Sequence, residues 1–303
     1  MRQRLSALKI VFLSLLLISS CSIENQNSNR TIEDIADEIL DATMLRYPST
    51  PTFYSIKNSP HDQLYDNSLN ALKQWQIRED QWLEELDTIG EPKKVGSRDW
   101  VTFGIVYESL AASRDARVCR KELWETSTTT AWYTGLPFIC DIQPLDSANL
   151  KSQALNRLGQ VSHYIDREIQ NLTIGLSQGY SSPRITVKAV PSEVRMLLEP
   201  NSPFLLMGER AEDAECNNQV KSMFNDEIAP AIRRYAQFIE NKYLKQARDN
   251  ISISSNPNGS ECYPTLIRSF STIQPTADEI HDLGLKQIAL IRSEMSVLLD
   301  EHF

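Results

Sequence analysis

Glycine is scarce in this chain of 303 residues, numbering only 10, and aromatic side chains make up 8% of it. Glycine-rich, low-complexity and all-β proteins are therefore disfavoured. No run of alternating strand residues and no internal repeat appears. The run Ile10–Ile18 is about half of the roughly 20 apolar residues that a membrane-crossing helix needs. The sequence contains no HExxH, GxSxG, P-loop or GxGxxG pattern. Its four histidines, His61, His163, His281 and His302, are scattered singly, and the position four beyond His281 is Leu285. No two cysteines stand two to four residues apart, so a structural zinc site is not indicated. Nothing resembles a basic stripe for phosphate neutralisation, which argues against nucleic acid as a partner. No residue is accordingly expected to be catalytic, cofactor-binding or metal-ligating.

What is present begins with a targeting segment. Arg2, Arg4 and Lys9 precede the apolar run, and the small residues Ser19 and Ser20 stand before Cys21. The ending ISSC is similar to a bacterial lipobox, which makes Cys21 the expected lipid attachment site after removal of residues 1–20 as a signal peptide. The polar stretch SIENQNSNR reads with Cys21 as a tether over residues 21–30. Signal removal leaves 28 basic residues against 40 acidic ones, a net charge of about −12. Membrane attachment would thus come from lipid rather than from charge. The expected location is the cell envelope, facing the periplasm, and Ser22 after the cysteine leans towards the outer membrane.

Setting Cys21 aside leaves an even set, Cys119, Cys140, Cys216 and Cys262, in a compartment that permits disulfides. Of the three pairings, local loop closure favours Cys119 with Cys140 and Cys216 with Cys262. Each would contribute about 3 to 4 kcal/mol in the chain-entropy model.

Apolar residues at 41% and charged ones at 23% are globular values. Helical periodicity dominates the rest. Thr31 with Asp34 opens a capped helix carrying Ile32, Ile35, Ile39 and Leu40 on one face, ended by RYPSTP. Leu69, Leu72, Trp75, Trp82 and Leu86 mark a second helix ended near Gly90, and Trp100, Phe103, Val106 and Leu110 a third. The stretch CRKELWETSTTTAWYTGLPFIC lacks helical period and reads as a disulfide-closed loop packing Trp124 and Trp132. Leu158, Val161, Ile165, Ile169 and Leu172 predict a long helix, followed by helices at Val194–Leu198 and from about Ala214 to Arg248. Pro191 and Pro230 are expected to start or kink helices. The predicted fold is mainly α, a multi-helix domain over residues 31–303 with little or no β-sheet.

The stretches IDREIQNLTIGLSQGYSSPRITV (165–187), NSPF (201–204) and YPTLIRSFSTIQPTADEIHDLGLKQIALIRSEM (263–295) together resemble the bacterial domain-of-unknown-function 885 family. The likeness runs from about residue 31 to the end. It implies a secreted or lipid-anchored protein. In full-length members it also implies a zinc-dependent, peptidase-like hydrolase, whose histidine and glutamate cluster lies in a later half. None of those later residues is in this sequence. The chain is thus expected to correspond to the family's first half and to be inactive alone, with zinc belonging to longer relatives. Thr276 and Glu279 form a capping box, and Ile280, Leu283, Ile288, Ile291, Met295 and Leu298 form one apolar face. That helix is expected to lack part of its cover, its partner being the missing carboxy-terminal half. The rival expectation is a complete, non-enzymatic helical lipoprotein that binds a peptide or protein.

Overall fold

The computed structural model describes residues 30–302, except 58 and 130. The signal peptide, Cys21 and the tether up to residue 29 lie outside the described residues. Arg30, the last tether residue, is ion-paired with Glu38 and Glu85. Among the described residues every regular element is a helix, apart from one parallel bridge between Pro183 and Arg248. The mainly α expectation therefore holds.

Three helices form one packing unit: α1 (Ile32–Arg46), α3 (Leu69–Ile89) and α4 (Arg98–Ala116), with the short α2 (Thr50–Phe53) between the first two. Thr31 and Asp34 exchange capping-box hydrogen bonds at α1, and Ser68 and Ser97 cap α3 and α4. Their apolar stripes meet as Ile35, Trp82, Leu83, Leu86, Leu110 and Ala111, with Trp75 packed edge-on to Trp82. Leu40, placed on the α1 stripe by its period, is instead exposed. Glu79 is buried among them and accepts from Trp75 Nε1, Ser113 Oγ and Arg117 Nη2 at 2.8 to 2.9 Å. That number of donors meets the cost of burying a carboxylate.

The main core lies among α5 (Trp132–Ile142), α6 (Ala148–Leu158), α7 (Val161–Ser177), α8 (Arg184–Val187), α9 (Val190–Met196), α10 (Pro203–Arg210), α11 (Ala214–Met223) and α12 (Ala229–Phe238). The predicted helix through Leu158 is broken at Gly159-Gln160, which separates α6 from α7. From Ala214 the chain stays helical through α13 (Leu244–Gln246), interrupted by π turns at Phe224–Ile228 and Ile239–Tyr243. The first π turn precedes Pro230, and a wider turn relieves the clash between a proline ring and the carbonyl four residues back. Gly175 in α7 is required by contact, because a Cβ there would stand 1.8 Å from the Leu123 carbonyl oxygen. Last come α14 (Gly259–Ser271) and α15 (Ala277–His302).

The disulfide pairing differs from the local one favoured by sequence spacing. Cys119 is bonded to Cys262, and Cys140 and Cys216 are free buried thiols. The cause is tertiary. Helix α14 packs along α4, where Arg268 pairs with Glu108 at 2.6 Å and Asp115 at 2.5 Å, and this brings Cys262 to the turn that follows α4. Cys140 is carried into the main core by α5, which begins at Trp132 inside the stretch read as a loop. Trp124 and Trp132 are both buried, but in different clusters.

Candidate binding cleft

The segment Tyr47–Ser68 has no regular structure beyond α2, yet its backbone crosses the faces of α6 and α7. Where such a segment packs against helices, its peptide groups must find partners outside any ladder. Side chains of the two helices supply them. Gln153 Oε1 accepts from the His61 amide at 2.7 Å, Gln160 accepts from the Leu64 amide and donates to the Asp62 carbonyl, and Asn171 donates to the Asn67 carbonyl.

Arg157 is the centre of this arrangement. It is 4% exposed, and its guanidinium donates to Gln63 O at 2.9 Å, Thr52 Oγ1 at 2.8 Å, Gln143 Oε1 at 2.7 Å and Pro48 O at 3.0 Å. No carboxylate pairs with it among the described residues. Burial pulls its pKa down to about 10, which leaves it charged at neutral pH. Gln143 completes the circuit by donating from Nε2 to the His61 carbonyl at 3.0 Å.

Thr52 Oγ1 accepts from Arg157 and lies 2.8 Å from His61 Nδ1. Burial, and after it the neighbouring guanidinium, hold the His61 imidazole below its ordinary pKa, against the opposing effect of Asp62. A neutral imidazole hydrogen-bonded to a hydroxyl that an arginine polarises has the elements of an activated nucleophile. Thr52 is 3% exposed, however, and both sides of its hydroxyl are occupied. The cluster therefore fixes a wall rather than attacking a substrate.

That wall faces a cleft of about 920 Å³. One side is a ridge of α6, with Asn149, Ser152, Gln153 and Asn156 at helical spacing; the other is formed by Ser55–Lys57 and Ser59–Asp62. The side chains of Asn149, Ser152, Asn156 and Asp146 are exposed and form no hydrogen bond or ion pair among the described residues. Phe53, Tyr54 and Phe138 are exposed around the same segment, with the rings of Phe53 and Phe138 5.9 Å apart. A second cavity of about 570 Å³ lies on the far side of Ser59-Pro60, lined by Met44, Leu45 and Pro48 among others. Free amides along a groove, next to exposed rings, suit an extended chain carrying both amide groups and apolar side chains.

The other histidines are elsewhere. His163 Nε2 accepts from Arg167 at 2.7 Å on the exposed face of α7, and His281 is exposed on α15. No group of three or more His, Cys, Asp or Glu able to hold a metal occurs among the described residues. No helix among them is long and apolar enough to cross a membrane. In the first of the stretches that carried the family resemblance, Ser181 and Ser182 tie neighbouring elements together. Ser182 Oγ donates to Trp124 O at 2.7 Å, its amide donates to Tyr243 Oη, and Ser181 accepts from the Arg248 amide.

Sequence reasoning missed Arg157 and left His61 without a role. A signal existed: Arg157 falls on the apolar face of its helix, between Ala154, Leu158 and Val161, where a charge needs buried partners.

Comparison with known proteins places these features in a family. A candidate lipoprotein of known crystal structure from Colwellia psychrerythraea superposes with a TM-score of 0.74 at 16% identity, over 89% of this chain and 52% of its own. The chain thus spans about half the length of that solved relative, and at this identity the likeness is one of fold. No curated protein matches it significantly. The sequence profile of the bacterial protein family of unknown function DUF885 matches residues 48–303, and the chain belongs to that family.

Proposed function

We propose that the protein is a lipid-anchored component of the bacterial cell envelope, attached through Cys21, facing the periplasm and held at the outer membrane. In this reading it forms the amino-terminal, substrate-holding portion of a peptidase-like hydrolase and performs no catalysis alone. The observation that carries the proposal is the cleft. Its α6 ridge offers free amide and hydroxyl groups at regular spacing, exposed aromatic rings stand beside it, and a buried arginine clamp keeps its wall rigid. Zinc would belong to the remainder of a full-length hydrolase, since the residues described here offer no cluster to hold it. The rival reading, a complete lipoprotein that binds a peptide or protein partner without hydrolysing it, draws on the same cleft.

Two measurements test this. Mass spectrometry of the mature terminus should find acyl chains on Cys21, and Cys21→Ala should release the protein from membranes or stall its processing; a soluble mature form starting elsewhere removes the anchor from the account. The purified chain should bind members of an unstructured peptide library, weakened by Asn156→Asp or Phe53→Ala, and cleave none of them. Cleavage, or stoichiometric tight zinc binding, overturns the claim that it is inactive alone. Peptide binding with no hydrolysis after a full-length relative's second half is supplied favours the rival.

A further inference from the structure

Every side chain from Thr276 to Asp300 is exposed, and that includes ten large apolar ones on α15. Leu283, Leu285, Ile288, Leu290, Ile291, Met295, Val297, Leu298 and Leu299 are 51 to 56% exposed and Ile280 40%, so none of the described residues covers any side of the helix. A helix of 26 residues extends about 39 Å. At 3.6 residues per turn its apolar side chains cover roughly 240° of the circumference, broken by Glu279, His281, Gln287, Arg292 and Glu294. A helix lying on a single surface needs a stripe of about 100°. The pattern on α15 is that of a helix taken between at least two others.

The uncovered surface continues onto α14. Tyr263 and Phe270 are exposed there, Ile273 follows, and a groove of about 400 Å³ opens where Tyr263 and Ile267 face Pro275. Chemistry then selects the occupant. The polar strip of α15 is Asp278, Asp282, Lys286, Ser293, Ser296 and Asp300. Helices that lie on anionic membranes carry Lys and Arg on that face, so a lipid surface fits poorly. A second copy pairing α15 with α15 would cover one flank and leave the other in water. The solved relative, by contrast, has nearly as much polypeptide again outside the portion this chain matches.

We propose that α15 and the outer face of α14 dock a helical polypeptide equivalent to the unmatched portion of that longer relative, which receives α15 between at least two of its helices. The proposal rests on the reading of this chain as an amino-terminal portion.

The test uses the full mature chain carrying Cys21→Ala, mixed with the carboxy-terminal half of a longer DUF885 member chosen for high identity over residues 31–303. Light scattering should show a one-to-one complex, and the amides of α15 should gain protection from exchange. Ile288→Asp, and Leu290→Asp on the opposite flank, should each weaken the complex tenfold or more, while Lys286→Glu changes it less than twofold. These positions are exposed, so circular dichroism should show each variant folded. Absence of the complex overturns the proposal, as does a complex that both aspartates leave unchanged. A homodimer that Ile288→Asp dissolves and the added half does not displace assigns the surface to a second copy instead. A complex that forms but hydrolyses no peptide leaves the docking intact and removes the hydrolase reading; hydrolysis by the chain with no complex does the reverse.

Discussion

Replacing Arg157 by Met keeps most of the stem's volume and deletes the guanidinium that holds the cleft wall. Three acceptors, Pro48 O, Gln63 O and Gln143 Oε1, lose their arginine donor, while Thr52 Oγ1 keeps His61. An acceptor left unpaired in a buried site costs about 1–3 kcal/mol, so the gross loss is roughly 3–9 kcal/mol. The folded state also ceases to bury a charge that no carboxylate neutralises, which returns several kcal/mol. The net destabilisation expected is about 2–4 kcal/mol. At roughly 2–4 °C per kcal/mol for a chain of this size, the melting midpoint should fall by about 5–15 °C.

Urea unfolding followed by tryptophan fluorescence measures the loss, and amide exchange locates it. Protection should fall first between residues 48 and 66, because the clamp ties that segment to α6 and the rest of the core does not depend on it. Arg157→Lys should recover little, since an ammonium group cannot reach four acceptors arranged around a planar fork. If Arg157→Met is within about 0.5 kcal/mol of the natural protein and residues 48–66 stay protected, the clamp does not hold the wall.

Three further outcomes follow from the same geometry. Non-reducing peptide mapping should find Cys119 joined to Cys262, and opening that bond with Cys119→Ser should cost about 3–5 kcal/mol for so long a loop; Cys140 and Cys216 should resist thiol reagents until the protein unfolds, as burial pushes the Cys140 thiol up to about 12. Because the His61 pKa is lowered in the folded state, its contribution to stability is fully present above pH ~6.5 and is lost as pH falls below that value; the drop in urea midpoint between pH 7.5 and 5.5 should be smaller in His61→Gln, and an equal drop removes His61 from the explanation. Gly175→Ala should destabilise by about 2 kcal/mol or more, since the new methyl meets the rigid Leu123 backbone, and a neutral result in thermal melts contradicts the close approach.

How far the sequence reached depended on whether a feature is local. The capping boxes at Thr31 and Thr276 formed as spaced, and α3 and α4 run where their apolar periods placed them. The helix from Thr276 stands uncovered among the described residues, an expectation that came from the likeness to longer proteins and not from its own pattern. The failures at the cleft and at the disulfide are non-local. Arg157 gathers acceptors from Pro48, Thr52, Gln63 and Gln143, groups up to 109 residues away that no spacing rule connects. The disulfide spans 143 residues, whereas preference for short loops pointed to Cys140. Helix α5 was hidden by its threonine-rich approach and by Pro137 within it, and burial of Trp132, Tyr133 and Ile139 outweighs both penalties.

The bonding of α14 bears on how α15 is used. A terminal helix needs no special fastening if it is merely a tail. Here the helix before it is held to α4 by a covalent bond at Cys262 and by Arg268, which reaches Glu108 through two donors and Asp115 through a third. Only the five residues Thr272–Thr276 separate that anchored helix from α15, and Thr276 caps α15 through Glu279. Chain-entropy reasoning says that a docking element whose base is fixed loses less freedom on binding than one on a flexible linker. The fastening also sets the direction in which α15 leaves the body, and therefore where a docked polypeptide sits relative to the rest of the fold. Cys119→Ser should accordingly weaken docking even where α15 itself is unaltered, and equal affinity in the oxidised and reduced proteins would show that the anchor serves stability alone.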